Sequence, residues 1–134
     1  DDRFVAVVPK GWEESKYVPG NYKPTDSSHG FMSKFGVGTN CDGSCEPKDW
    51  AATSEKVDFK QFLEGEQFTV EKDEKSDTSR LLVAKAGDRV HIAFALWKKG
   101  ASRYFICHAT LDKEIAAAAP AFEKACQSMT VSSW

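Results

Sequence analysis

The chain has 134 residues, 41% hydrophobic and 28% charged, and its eighteen basic and twenty acidic side chains leave a net charge of -2. That length suits a single domain over residues 1–134, which would bury about two-thirds of the surface its unfolded form exposes. The two signs of charge are interspersed, so no field is available to hold a polyanion and nucleic acid is not expected as a partner; the longest apolar runs, such as Ile92 to Trp97 and Ile115 to Ala119, fall far short of the roughly 20 residues a membrane-spanning helix needs.

The chain opens on Asp1 and Asp2 without Met or a hydrophobic segment, as expected of a mature chain whose export signal has been removed, with room for a lipid anchor on residues no longer present. Phe4 to Val8, within Arg3 to Trp12, is a β-branched and aromatic run that Pro9 and Gly11 stop, which predicts a buried strand followed by a turn. From Glu13 to Thr39, Pro19, Gly20, Pro24, Gly30, Gly36 and Gly38 alternate with Tyr17, Tyr22, Phe31 and Phe35. The pattern predicts a loop-rich connection with one short strand near Phe31 to Val37. So long a connection is uncommon in a compact domain unless it is functional, so its aromatics are the first candidates for a binding surface.

Pro47 suits the first turn of a helix, with Glu46 and Asp49 near its positive end and Trp50, Ser54, Val57 and Gln61 near one stripe, so a helix is predicted over Pro47 to Lys56. Asp58 caps a second helical turn holding Phe59, Phe62 and Leu63, which Gly65 ends. Gln67 to Lys72 is predicted as a strand and Asp73 to Ser79 as a polar turn. The strongest β signal follows. Leu81 to Lys85 and Val90 to Trp97 flank Gly87 and Asp88, and a short connection at Lys98 to Ala101 leads to Arg103 through Ala109, a three-stranded meander. In its middle strand Val90, Ile92, Phe94 and Leu96 share one face; His91, Ala93, Ala95 and Trp97 share the other, where the small residues leave room for something laid across them. Asp112 is the expected cap of the last helix, in which Ile115, Ala118, Ala119, Phe122, Cys126 and Met129 fall at helical spacing. Pro120 must kink or split that helix, or mark a new start at Ala119.

Cys41 and Cys45 bracket a Gly-containing loop; Cys107 shares a strand face with Phe105 and Ala109, and Cys126 lies on the apolar helical stripe. These positions predict two structural disulfides, 41–45 and 107–126, with no register conflict for the second. On the loop-entropy account they contribute about 2 and about 3 kcal/mol. A chain that pairs all its cysteines belongs in a periplasm or outside the cell. Crosslinking also consumes the residues best suited to chemistry. His29, His91 and His108 stand at no metal-motif spacing from the cysteines, and Asn40, Asp42, Ser44 and Glu46 lack the terminal bidentate acid of a calcium loop. Cys107 and His108, as strand neighbours, point to opposite faces and make no nucleophilic pair. No catalytic residue, metal site or cofactor is therefore expected.

The apolar strand Phe4 to Val8 with Pro9, Gly11 and Trp12, then a helix, a meander and a closing Phe122, Cys126, Ser128, Met129, Thr130, Val131 segment together resemble the Mog1/PsbP-like superfamily over most of the chain. The resemblance implies an α+β fold, an antiparallel β-sheet of an N-terminal strand plus a C-terminal meander, with helices packed on its faces. The cysteine-bracketed loop and the long aromatic loop depart from the general family pattern. Superfamily members include photosystem accessory proteins, a nuclear transport factor, bacterial lipoproteins and immunity proteins that neutralise secreted toxins.

Aromatic and arginine side chains commonly anchor protein interfaces, which singles out Tyr17, Tyr22, Phe31 and Phe35 in the long loop and Trp97, Lys98 and Arg103 near the second hairpin as partner-binding candidates. The expectation is a non-enzymatic, exported binding protein, specifically a periplasmic immunity protein of the type VI secretion kind that occludes the cleft of a cell-wall- or membrane-attacking toxin. An envelope accessory or assembly protein, or a carrier of a small ligand or glycan, are the other readings. Two crosslinks predict no alkylatable thiol in the unreduced, denatured protein. Intact-mass measurement before and after reduction checks this, and four reactive thiols would overturn the compartment assignment.

Overall fold

Alternation along Arg89 to Leu96 decides the architecture, because every second side chain must find cover on the opposite side of the same strand. The computed structural model describes residues 4–5, 10–16, 20–25, 33–40, 50, 54, 67–98 and 104–131. They form nine strands: β1 (Phe4–Val5), β2 (Trp12–Glu14), β3 (Asn21–Pro24), β4 (Lys34–Asn40), β5 (Thr69–Lys75), β6 (Ser79–Ala86), β7 (Arg89–Leu96), β8 (Tyr104–Leu111) and β9 (Thr130–Val131). Seven of them make one antiparallel sheet in the order β2-β3-β4-β8-β7-β6-β5, and β1 pairs with β9 in a separate two-stranded ribbon. The C-terminal helix spans Ala119–Gln127.

The meander β6-β7-β8 is as the sequence pattern predicts. Its first hairpin turns on Gly87 and Asp88, with Gly87 at φ 61°, and β7 is the central strand of the three, bonded to β6 on one side and β8 on the other. Three expectations need correction. The described residues of the stretch from Glu13 to Thr39 are mostly strand: β2 and β3 form a hairpin and β3 pairs with β4, which pairs along its whole length with β8. Residues 73–75 belong to β5 and not to a turn, since Asp73, Glu74 and Lys75 pair with Leu82, Leu81 and Arg80; an edge strand exposed on both faces tolerates the charges that made it look like a turn. Asp112 does not cap the last helix. Its carboxylate pairs with Arg89 at 3.2 Å and its backbone N–H donates to Ser33 Oγ at 2.9 Å, while a 3-10 turn at Ala116–Ala118 leads into a helix that starts afresh at Ala119 with Pro120 in its first turn. Proline costs nothing there, where the amide has no partner to lose.

One face of the sheet receives that helix. Phe35, Val37, Leu81, Val83, Val90, Ile92, Phe94, Phe105, Ala109 and Leu111 are buried against Phe122, Ala125 and Met129. Trp12 and Phe35 both meet the Phe122 ring edge-on, at centroid distances of 5.2 and 5.8 Å. Cys107 and Cys126 form the disulfide expected between β8 and the helix, with both residues fully buried. The opposite face carries Leu82, Ala84, Ala86, Ala93, Ala95, Tyr104 and Ile106, and Trp50 packs on it. Trp50 and Ser54 have helical backbone, in keeping with the helix predicted over Pro47 to Lys56. The rest of that helix, the turn around Phe59 to Leu63, and Cys41 with Cys45 lie outside the described residues.

The β2-β3 hairpin is tied by short local bonds. Ser15 N–H donates to the Asn21 carbonyl at 2.7 Å, and Gly20 N–H donates to the Glu14 carboxylate at 2.9 Å. Gly20 has φ 82°, and a Cβ there would stand 2.5 Å from the Val37 carbonyl oxygen, which is backbone and cannot step aside. Gly20→Ala is therefore expected to lose on the order of 2 kcal/mol or more in urea unfolding. Gly38→Ala, with no atom within 4 Å of the added carbon, is expected to stay within about 0.5 kcal/mol of the unsubstituted protein.

Candidate functional site

On the face opposite the C-terminal helix, three features occupy the space above the small residues of β7. The Trp50 indole stacks on Trp97 with centroids 6.0 Å apart and planes 9° from parallel, and meets Tyr104 edge-on at 6.2 Å. Its Nε1–H donates to the Ser76 carbonyl at 3.1 Å, so a buried indole has its one polar group satisfied. Ser76 is held in turn, its hydroxyl accepting from the Thr78 and Ser79 amides at 3.2 and 3.0 Å. The room predicted beside Ala93 and Ala95 is thus filled by the chain's own tryptophan.

Arg80 is the second feature. Only 9% exposed, it grips Asp73 with a two-pronged bond, Nε to Oδ1 at 3.1 Å and one terminal nitrogen to Oδ2 at 3.0 Å, and donates its other terminal nitrogen to the Ser54 carbonyl. Hydrogen bonding to this guanidinium lowers the Asp73 carboxyl below its ordinary value. A single arginine thereby joins the helical segment around Ser54 to edge strand β5, in the bidentate geometry that lysine cannot supply.

The third is a polar row across β3, β4, β8 and β7. Asn21, Gly36 and His108 are cross-strand neighbours, and His108 pairs onward with Ala93. A Cβ on Gly36 would stand 2.7 Å from both Asn21 Oδ1 and His108 Nε2, so glycine is what lets those two polar groups close over the strand. One pair further along, His91 is 1% exposed and its Nδ1 lies 3.2 Å from Thr110 Oγ1. Burial, with Lys34 adding positive charge nearby, pushes the His108 imidazole down to about 4. It is neutral at pH 7. No group of three or more His, Cys, Asp or Glu able to hold a metal occurs among the described residues.

At the opposite end of the sheet from the Ser76 turn, an open depression of about 340 Å³ lies between the β6-β7 hairpin and the segment after β8, lined by Ala86, Asp88, Arg89, Asp112, Lys113 and Glu114. Its wall is braced by the Arg89–Asp112 pair. Sequence reasoning passed over it, since its residues come from two separate turns and only the fold brings them together.

Among the described residues, the partner-binding candidates do not gather into one patch. Tyr22 is half-buried on the C-terminal-helix face, tilted against Phe35 at 6.1 Å, and Phe35 is 0% exposed in the core. Trp97, 8% exposed, belongs to the other core, and Lys98 next to it is exposed. Tyr17, Phe31 and Arg103 lie outside the described residues. Two of the seven rings and charges are therefore internal supports. No helix among the described residues is long and apolar enough to cross a membrane.

No protein-family model matches the sequence, and no curated protein matches it significantly. Solved structures match over nearly the whole chain, two of them with the following superpositions. The solution structure of cyanobacterial PsbP (CyanoP) from Synechocystis superposes with a TM-score of 0.57 at 12% identity, over 97% of this chain and 92% of that one. The crystal structure of LpqN, involved in cell envelope biogenesis of Mycobacterium tuberculosis, gives 0.63 at 14% identity, over 98% of this chain and 84% of that one. The fold is PsbP/Mog1-like, an antiparallel sheet with helix packed on it, as the N-terminal and closing segments led us to expect.

Because the folded chain holds His108 neutral while the unfolded chain protonates near the ordinary value of 6.5, stability is full above about pH 6.5 and falls as pH drops toward 4, by up to about 3 kcal/mol. His108→Gln is expected to remove that part of the slope. Urea midpoints between pH 4 and 7 check it; an unchanged slope would count against the buried neutral imidazole.

Proposed function

We propose that this chain is an exported, envelope-associated binding protein that works by shape and not by catalysis. The observation that carries the reading is that both faces of the sheet are already occupied, one by a helix crosslinked through Cys107 and Cys126 and the other by Trp50 stacked on Trp97. What such a scaffold presents to the outside is a stiff rim, and stiffness lowers the ordering cost of association. A buried disulfide fits an oxidising compartment, and LpqN, similar in fold, is involved in cell envelope biogenesis.

More specifically, the chain acts as a periplasmic immunity protein whose partner is a secreted toxin attacking cell wall or membrane, the toxin's cleft being blocked on binding. Contact is assigned to Tyr17, Tyr22, Phe31, Lys98 and Arg103; Phe35 packs against Tyr22 on one side of the sheet, and Trp97 precedes Lys98 on the other. The filling of the space beside Ala93 and Ala95 by Trp50 weighs against the ligand-carrier reading. The likeness to LpqN supports the second reading, an accessory protein of envelope assembly. The two separate on partner and phenotype.

Co-expression with the product of the adjacent reading frame, directed to the periplasm, is expected to protect cells from lysis or arrest and to yield a stable complex on purification. Lys98→Glu should weaken that complex about tenfold or more while leaving the melting temperature of the free protein nearly unchanged, whereas Tyr22→Ala should weaken the complex and also lower the melting temperature, because it removes the ring packed against Phe35. Absence of both protection and complex would overturn the immunity reading.

A further inference from the structure

The two faces of the sheet differ in the kind of group they bury. Against the C-terminal helix the lining is apolar, from Phe35 and Ile92 to Phe122 and Met129, and its two sulfurs are joined covalently. The Lys72–Glu123 pair on that side lies at the surface. The buried polar side chains of strands β6, β7 and β8 are Arg80, His91 and Thr110, and all three belong to the other face. Arg80 pairs with Ala95, and His91 with Thr110, so alternation sets them on the alanine-lined floor. His108 stands on that floor too, opposite Ala93 and two residues from Ile106, both in the cluster that Trp50 closes. At its margin Arg80 binds the Ser54 carbonyl of the covering segment and the Asp73 carboxylate of β5.

Protons act on that face and spare the other. A proton on His108 sets a cation beside Lys34 in a largely buried position, where water cannot screen it. A proton on Asp73 removes the negative charge that the buried Arg80 grips. Among the described residues, the other charged groups on this face are Lys75 beside Asp73, Arg89 paired with Asp112 near His91, and Lys23 with Glu13 toward the β2 edge. Opening the floor to water relieves both strains, whereas the helix side has no fully buried titratable side chain to relieve. We propose that the Trp50 side is an acid-released cover: as pH falls, the helical segment lifts from the alanine floor while the C-terminal helix stays seated on the opposite face. The covered state holds His108 at about 4 and the lifted state returns it to the ordinary 6.5, so falling pH favours lifting across that window. Asp73, lowered in the covered state, adds its pull below the ordinary 3.8.

Each face carries its own reporter: the Trp50 indole N–H, bonded to the Ser76 carbonyl, on one, and the backbone amides of residues 123–127 in the C-terminal helix on the other. Hydrogen exchange followed by NMR on the free full chain from pH 7 to 4, corrected for the intrinsic rate at each pH, reads the two separately. The Trp50 proton is expected to lose protection by up to about tenfold per pH unit below 6.5, as uptake of one proton allows, while the helical amides keep theirs. H108Q is expected to flatten that loss between pH 6.5 and 4. D73N, which removes the carboxylate charge at every pH, is expected to lower Trp50 protection about tenfold already at pH 7. Equal loss on both faces would mark ordinary unfolding and overturn the proposal. Trp50 protection that does not change with pH, or H108Q losing it as steeply as the unsubstituted chain, would overturn it equally, and H108Q decides the matter alone should D73N fail to fold. The outcome is independent of whether a toxin binds, because no partner is present in the measurement.

Discussion

The difference in volume between the two sides of β7 governs the molecule. Val90, Ile92, Phe94 and Leu96 present a thick, branched surface on which a helix can settle through Phe122, Ala125 and Met129, whereas Ala93 and Ala95 on the reverse are so slight that a large flat ring has to come close to exclude water. Trp50 is that ring. Protein interiors pack as densely as organic crystals, so a sheet with one alanine-lined face is incomplete until something of matching volume is laid on it. Each side therefore selects its own cover, and the sheet orders the rest of the chain about itself.

Those covers are fastened by unlike means. The helix is held by a covalent bond between two fully buried sulfurs together with the edge-on rings of Trp12, Phe35 and Phe122. The Trp50 side relies on polar fittings at its margin: the indole N–H on the Ser76 carbonyl, and Arg80 spanning from Asp73 to the Ser54 backbone. Strand β5 enters this scheme twice. It supplies Asp73 to the arginine on one face and Lys72 to Glu123 of the helix, at 2.9 Å, on the other. Hydrogen bonding to Glu123 raises the Lys72 amine above its ordinary value, although so exposed a pair adds little to stability.

The parts of this arrangement written in local periodicity were legible from the sequence. The β6-β7-β8 meander, the two-sided character of β7, the Cys107–Cys126 pairing and the restart of the helix at Ala119 all depend on spacing within a few residues or on matching two apolar stripes. What escaped notice is what only pairing creates. Trp12 to Glu14 and Asn21 to Pro24 carry too little apolar alternation to announce strands, and they become strands because β4 offers an edge and the Glu14 carboxylate secures the Gly20 amide. Asp73 to Lys75 read as a turn for the same reason, since composition at a sheet margin is set by water. Among the candidate contact residues the chemistry pointed to aromatics, but a side chain's type does not reveal whether it faces inward, and Phe35 and Trp97 prove to be packing. The depression beside Arg89 and Asp112 was invisible in one dimension because its walls are more than twenty residues apart in the chain.

The near-parallel pair of indoles has an optical consequence. Two indoles held this close couple their excited states, and the near-ultraviolet band that reflects the coupling changes once one ring slips from the other. Because Trp50 comes from the helical segment and Trp97 follows the central strand, that band would report the seating of the segment on the sheet separately from secondary structure, giving the protein a built-in gauge for whether its alanine-lined side is closed.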